Sequence, residues 1–120
     1  MTAPKRVCVD LDHTLAQPSD GPLPGDPYPG ARFFLGMLQR AGIEIVIHTA
    51  RIDPWKPTND QMGMVLGWLD RHHLPYDKIC GKPEAIAYID DRAIAVPRDP
   101  NGDFYEGVFR LIERLHGEQS

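Results

Sequence analysis

Residues 6–15 read Arg-Val-Cys-Val-Asp-Leu-Asp-His-Thr-Leu, and this run limits what the chain can fold into more than any other. Val7, Cys8 and Val9 are apolar and favour an extended backbone. Asp10, Asp12 and Thr14 follow at alternate positions. The interior of a sheet has no use for an unpaired carboxylate, because taking a charge out of water is costly. Two carboxylates about 4 Å apart also repel by about 4 kcal/mol at an effective dielectric of about 20. Asp10 and Asp12 therefore belong at the exposed end of a first strand, with a cation or a proton between them. The alternative is a polar turn with an Asp capping a helix.

A chain of 120 residues fits one domain, residues 1–120. Its 42% apolar and 25% charged residues are those of an ordinary globular protein with one core. The net charge is −4 and Lys and Arg do not cluster, which argues against a dedicated non-specific nucleic-acid surface. No apolar run approaches the ~20 residues of a membrane span, and no signal-peptide core opens the chain, so the expected compartment is the cytoplasm. The two cysteines, Cys8 and Cys80, sit in apolar surroundings and read as buried free thiols, without zinc-site spacing.

Residues 17–29 carry Pro18, Pro22, Pro24, Pro27 and Pro29, which leaves neither helix nor strand: a stiff connector, a flap beside the acids, or both. From Ala31 to Ala41 the spacing predicts a helix, with Ala31, Phe34, Leu35 and Leu38 on one face and Gly42 at its C-terminal cap. Ile43–Ile47 reads as a second strand, ending in His48-Thr49-Ala50-Arg51. Strand, helix, strand implies a right-handed crossover and a parallel pair, so both strands end on one edge and Thr49 lies near Asp10. Asp53–Pro57 is a rigid loop on that edge, with Trp55 expected either to anchor it or to stack on a base or sugar of the substrate. Thr58 and Gln61 form a capping box for a second helix, whose apolar face is Met62, Val65, Leu66 and Leu69, with Trp68 as a packing residue. His72 and His73 read as cations at its C-terminus. Lys78–Cys80 is a brief third strand, Ala85–Ile89 a fourth, and Ala93–Val96 a candidate fifth. Asp103 with Glu106 reads as an N-cap pair opening a last helix that buries Val108, Leu111, Ile112 and Leu115. Together these make a three-layer, parallel-sheet, Rossmann-like α/β domain.

Four positions then converge on the carboxyl edge: Asp10 with Asp12, Thr49, Lys82 in Gly-Lys-Pro, and Asp90-Asp91 after Tyr88-Ile89. Asp-x-Asp-x-Thr, a Thr ending the second strand, a Lys and a strand-terminal acid pair, in that order, resemble the four motifs of the haloacid dehalogenase superfamily, most of whose members are phosphatases. Two departures stand out. Lys82 is only eight positions before Asp90, where many members fit a helix, and Lys78 is a second lysine nearby. His13 stands where the motif usually has Gly, and reads as a neighbour of the site rather than a catalyst.

The resemblance implies a Mg²⁺-dependent phosphomonoester hydrolase. Asp10 would attack phosphorus and form an aspartyl-phosphate, with Asp12 as general acid and base. Thr49 would bind a phosphoryl oxygen, Arg51 would be a further phosphate contact, and Lys82 would offset negative charge. Asp10, Asp12, Asp90 and Asp91 would hold the metal. Neither insertion point used by the family's cap domains has room for one. A capless, open site suits a large or polymer-end substrate, such as a nucleic-acid 3′ phosphate, with small sugar or nucleotide phosphates also open, and it leaves room for a homo-oligomer to cover it. The alternative is a phospho-accepting, receiver-like regulatory domain, whose acid pair would come first in the chain rather than last.

Overall fold

A computed structural model describes residues 5–119. Its elements run β1 (Arg6–Asp10), α1 (Ala31–Arg40), β2 (Glu44–Thr49), α2 (Asn59–Arg71), β3 (Lys78–Gly81) and α3 (Gly102–Gln119). The three strands form one parallel sheet in the order β1-β2-β3. Asp10 pairs in register with His48, and Thr49 with Gly81, so all three strands end on the same edge. At the opposite edge Glu44 draws the strands together, its carboxylate 3.2 Å from Arg6 and 3.3 Å from Lys78.

Alternation divides the sheet into two unlike faces. Val9, Ile45 and Ile47 belong to the core, with Ala31, Phe34, Leu35 and Leu38 of α1 and Val65, Trp68 and Leu69 of α2. On the other face Arg6, Cys8, Lys78 and Cys80 are exposed, Glu44 and His48 are half-buried, and Val46 is buried. Two right-handed crossovers in the order 1-2-3 put both helices on one side of a sheet, and the burial pattern agrees. The arrangement is therefore a parallel α/β layout of sheet and helices, without the third layer that the sequence suggested. Cys8 and Cys80 are free, as expected, but exposed, because both fall on the uncovered face. Burial and the neighbouring Cys8 together push the Cys80 thiol up.

The local signals for the first two helices hold. Thr58 and Gln61 form the capping box, and Gly42, at φ 76, follows the end of α1. The last helix begins two residues earlier than expected and is capped by Asn101 rather than Asp103, the Asn101 Oδ1 accepting from the Phe104 N–H at 3.1 Å. Its buried face centres on Tyr105 and Ile112, while Leu115 is 42% exposed. Tyr105 stacks on Phe34 with ring centroids 5.3 Å apart, which fixes α3 against α1.

The fourth and fifth strands do not form. Residues 82–101 have no helix or strand, and Ile86 and Ile89 are fully exposed. The cause is chain length. A parallel neighbour requires a crossover of a dozen or more residues to return to the starting edge. Only Lys82, Pro83 and Glu84 separate β3 from the expected strand. No helix among the described residues is long and apolar enough to cross a membrane.

Candidate functional site

Asp10 is the last residue of β1, and a tight turn carries the chain away from it. The Leu11 carbonyl accepts N–H groups from Leu15 and Ala16, both at 2.9 Å, while the Leu11 and Leu15 side chains are wholly buried. These two leucines pin the turn to the core, and Asp12 and Thr14 are left half-exposed between them. The turn forces His13 to φ 63. Glycine adopts that conformation without strain, and His is among the residues that tolerate it. The His13 side chain itself is exposed.

The acids are matched by bases. Lys82 continues the β2–β3 ladder, its N–H donating to the Thr49 carbonyl at 3.0 Å. Its ammonium stands 3.7 Å from Asp10 Oδ1 and 4.1 Å from the centre of the Tyr88 ring. The Thr14 hydroxyl donates to Asp10 Oδ2 at 3.4 Å. Arg51 grips Asp12 with a fork, Nε to Oδ2 at 2.8 Å and Nη2 to Oδ1 at 2.9 Å. Lys78, by contrast, is spent on Glu44 at the far edge, so Lys82 is the lysine of the site. His48, beside Asp10 in the sheet, is held below its ordinary pKa, first by burial and then by the Lys82 charge, against an opposing pull from Asp10.

Two expected members behave differently. Thr49 is completely buried, and its Oγ1 accepts the Arg51 N–H at 3.1 Å. In this conformation it shapes the turn and is not open to a phosphoryl oxygen, because its side chain falls on the core face of β2. Asp90 and Asp91 lie on the exposed segment after β3, and the Asp90 carboxylate accepts the Arg92 N–H at 2.8 Å. They are not brought to Asp10 and Asp12, for want of the crossover. Among the described residues, no three or more His, Cys, Asp or Glu side chains are grouped to hold a metal. With both Asp12 oxygens taken by Arg51, the residues as they stand do not make a divalent-cation site.

The surroundings are built from loops. Residues 17–29 fold back on the turn as a strap, the Gln17 N–H donating to the Asp26 carbonyl and the Tyr28 N–H to the Leu15 carbonyl, both at 2.8 Å. Trp68 donates its indole N–H to the Gly25 carbonyl at 3.1 Å. Beside the strap lies a cavity of about 380 Å³, lined by His13, Pro18, Tyr28, Val96, Pro97, Arg98 and Asp99. Burial, with Asp99 adding to it, raises the Tyr28 phenol. Trp55 is 77% exposed and anchors nothing. Its loop is instead closed by Asp53 Oδ1, which accepts the N–H groups of Trp55 and Lys56 at 2.9 and 3.1 Å. The Arg51–Asp12 fork and the Tyr88 ring over Lys82 were not foreseen from the sequence, since neither partner is a near neighbour in a regular element.

Fold and site together define a small parallel α/β protein with base-paired acids at the carboxyl edge of its sheet. The chain is similar to a protein from Vibrio cholerae whose crystal structure was solved as a structural-genomics target, at 30% identity and a TM-score of 0.66, over 96% of this chain and 98% of that one. At that identity over nearly the whole of both chains, it belongs to the same family as the Vibrio protein. Neither the protein-family models nor the curated proteins compared with the chain give a match.

Proposed function

We propose that this chain is a phosphomonoester hydrolase of the haloacid dehalogenase type, with Asp10 as nucleophile. The observation that carries the reading is the Lys82–Asp10 pair at 3.7 Å, where the first strand ends. A carboxylate nucleophile and a phosphate dianion repel, and a nearby ammonium reduces that repulsion as charge builds in the transition state. Asp10 attacks phosphorus, a P–O bond forms to its carboxylate, and the ester P–O bond breaks. Asp12 gives a proton to the departing oxygen. It then takes one from the water that cleaves the aspartyl-phosphate, which releases inorganic phosphate and restores Asp10.

Mg²⁺ belongs to this proposal through the resemblance alone. The Asp10 carboxylate and the Asp12 backbone carbonyl would be its ligands at the sheet edge, and Asp90 or Asp91 would have to move in from the segment after β3. The cavity that His13 and Arg98 line is a candidate place for the leaving group. Sugar phosphates, nucleotides and oligonucleotide 3′ phosphates are the substrate classes to be tried.

The test is phosphate release from such a panel, with and without Mg²⁺, by the wild type and by Asp10→Asn. Activity is expected from the wild type, with a loss of at least about a thousandfold in the variant. A variant within about tenfold of the wild type would remove Asp10 from the role of nucleophile.

A further inference from the structure

Arg51 joins three parts of the chain. Its backbone N–H is held by Thr49 Oγ1, its fork holds both oxygens of Asp12, and its remaining nitrogen, Nη1, donates to the Pro22 carbonyl at 2.7 Å. Pro22 is at the tip of the strap. The root is held separately, by the Gln17–Asp26 hydrogen bond and by the Trp68 indole on Gly25. The root is also tight, since a Cβ on Gly25 would come within 2.5 Å of the Gln17 carbonyl oxygen. Between them the prolines make the tip stiff, so its position depends on what grips it.

A guanidinium committed in this way is poorly placed to serve as a phosphate ligand. A bidentate Arg–carboxylate pair fixes orientation as well as charge, and the Arg51 side chain is only 20% exposed. We infer that Arg51 is a positioning residue: it orients the Asp12 carboxylate and ties the strap tip to it, so that closing the strap and aligning Asp12 are one event. Asp12 reaches the strap tip through Arg51. A disturbance at either acid or tip should therefore be felt at the other. The kinetic half of this inference rests on the reading of Asp12 as proton donor, and the tie to the strap does not.

The experiment has two arms. In the first, backbone relaxation by NMR follows the Gly21 and Leu23 amides at the tip, with the Trp68 indole signal as the control for the root. Arg51→Gln and Asp12→Asn should both mobilise the tip while the Trp68 signal stays in place. A tip that remains rigid in Asp12→Asn would overturn the tie. In the second arm Arg51→Lys, which keeps the charge but loses the fork, is assayed on an alkyl phosphate and on p-nitrophenyl phosphate. The alkyl leaving group needs a proton and the nitrophenolate hardly does. Single-turnover kinetics read the release of the leaving group apart from the later attack of water, and the expected result is a fall in that release rate of about tenfold or more on the alkyl ester, with the aryl ester's release rate and both KM values changed by less than about threefold. An equal loss on both esters, or a loss confined to KM, would make Arg51 a phosphate ligand and overturn the positioning role. A wild type inactive on every phosphate tried would defeat the proton-donor reading, while the relaxation of Asp12→Asn would still decide the tie.

Discussion

Tyr105→Phe isolates one hydrogen bond that holds the last helix to the turn after β1. The Tyr105 hydroxyl donates to the Thr14 carbonyl at 2.6 Å, across 91 residues of sequence. The residue is 2% exposed, and burial, then the nearby Tyr28, push its phenol far above the ordinary value. Removing the oxygen leaves the ring in place on Phe34 and Phe104, so no cavity forms. What is lost is one neutral hydrogen bond, worth about 0.5–1.5 kcal/mol. Thr14 is half-exposed, so the range for a neutral hydrogen bond applies rather than the larger cost of stranding a fully buried acceptor. The expected loss is about 1 kcal/mol, or about 3–5 °C in Tm for a chain of this size. Urea unfolding followed by circular dichroism measures it, with Cm falling and m unchanged. Tyr105→Ala, which also removes the ring, should cost about 3–5 kcal/mol. A Tyr105→Phe loss below about 0.3 kcal/mol would mean that the bond to Thr14 contributes nothing to holding α3, and that the stacked rings alone position the helix.

Gly81→Ala should destabilise by about 1–3 kcal/mol and disturb the start of the Lys82 loop. A Cβ there would meet the Ile52 carbonyl oxygen at 2.5 Å and the Pro54 nitrogen at 2.6 Å, both backbone atoms; thermal unfolding checks it. Trp55→Ala should leave Tm unchanged, since that side chain is 77% exposed, and a drop of several degrees would restore the anchoring role that the structure removes. Glu44 is held below the usual carboxylate range by hydrogen bonds from Arg6 and Lys78. A depressed carboxylate stabilises the fold above its unfolded pKa and loses that contribution as pH falls through its folded value. Glu44→Gln should therefore flatten the acid side of the stability profile, most visibly at low salt, as Tm measured from pH 7 downward will show.

The parts of the fold that were legible in the sequence are those set by local chemistry. The period of Ala31, Phe34, Leu35 and Leu38, the Thr58–Gln61 box and the Gly42 cap each act within a few residues, and each appears as read. The parallel pairing of β1 with β2 was also legible, because α1 supplies a crossover of sufficient length. The fourth strand was misread from composition. Ala85–Ile89 has strand-like residues, but three residues cannot carry the chain back across the sheet, and the short interval between Lys82 and Asp90 was the available warning. Cys8 and Cys80 are exposed because the crossover helices lie on one side of the sheet and no third layer covers their face. At the site, Asp10 and Lys82 were legible because both end strands on one edge. The Arg51–Asp12 fork spans 39 residues and depends on the paths of two loops, which no local pattern encodes.

The assignment of Asp10 as nucleophile predicts a covalent aspartyl-phosphate. Quenching the protein during turnover of a substrate it hydrolyses, and then reducing with borohydride, converts an acyl phosphate into an alcohol. Peptide mass spectrometry then locates the altered residue. The predicted result is homoserine at position 10, absent from Asp10→Asn and from protein quenched without substrate. Phosphate release with Asp10 unmodified, or modification at Asp12 instead, would contradict it.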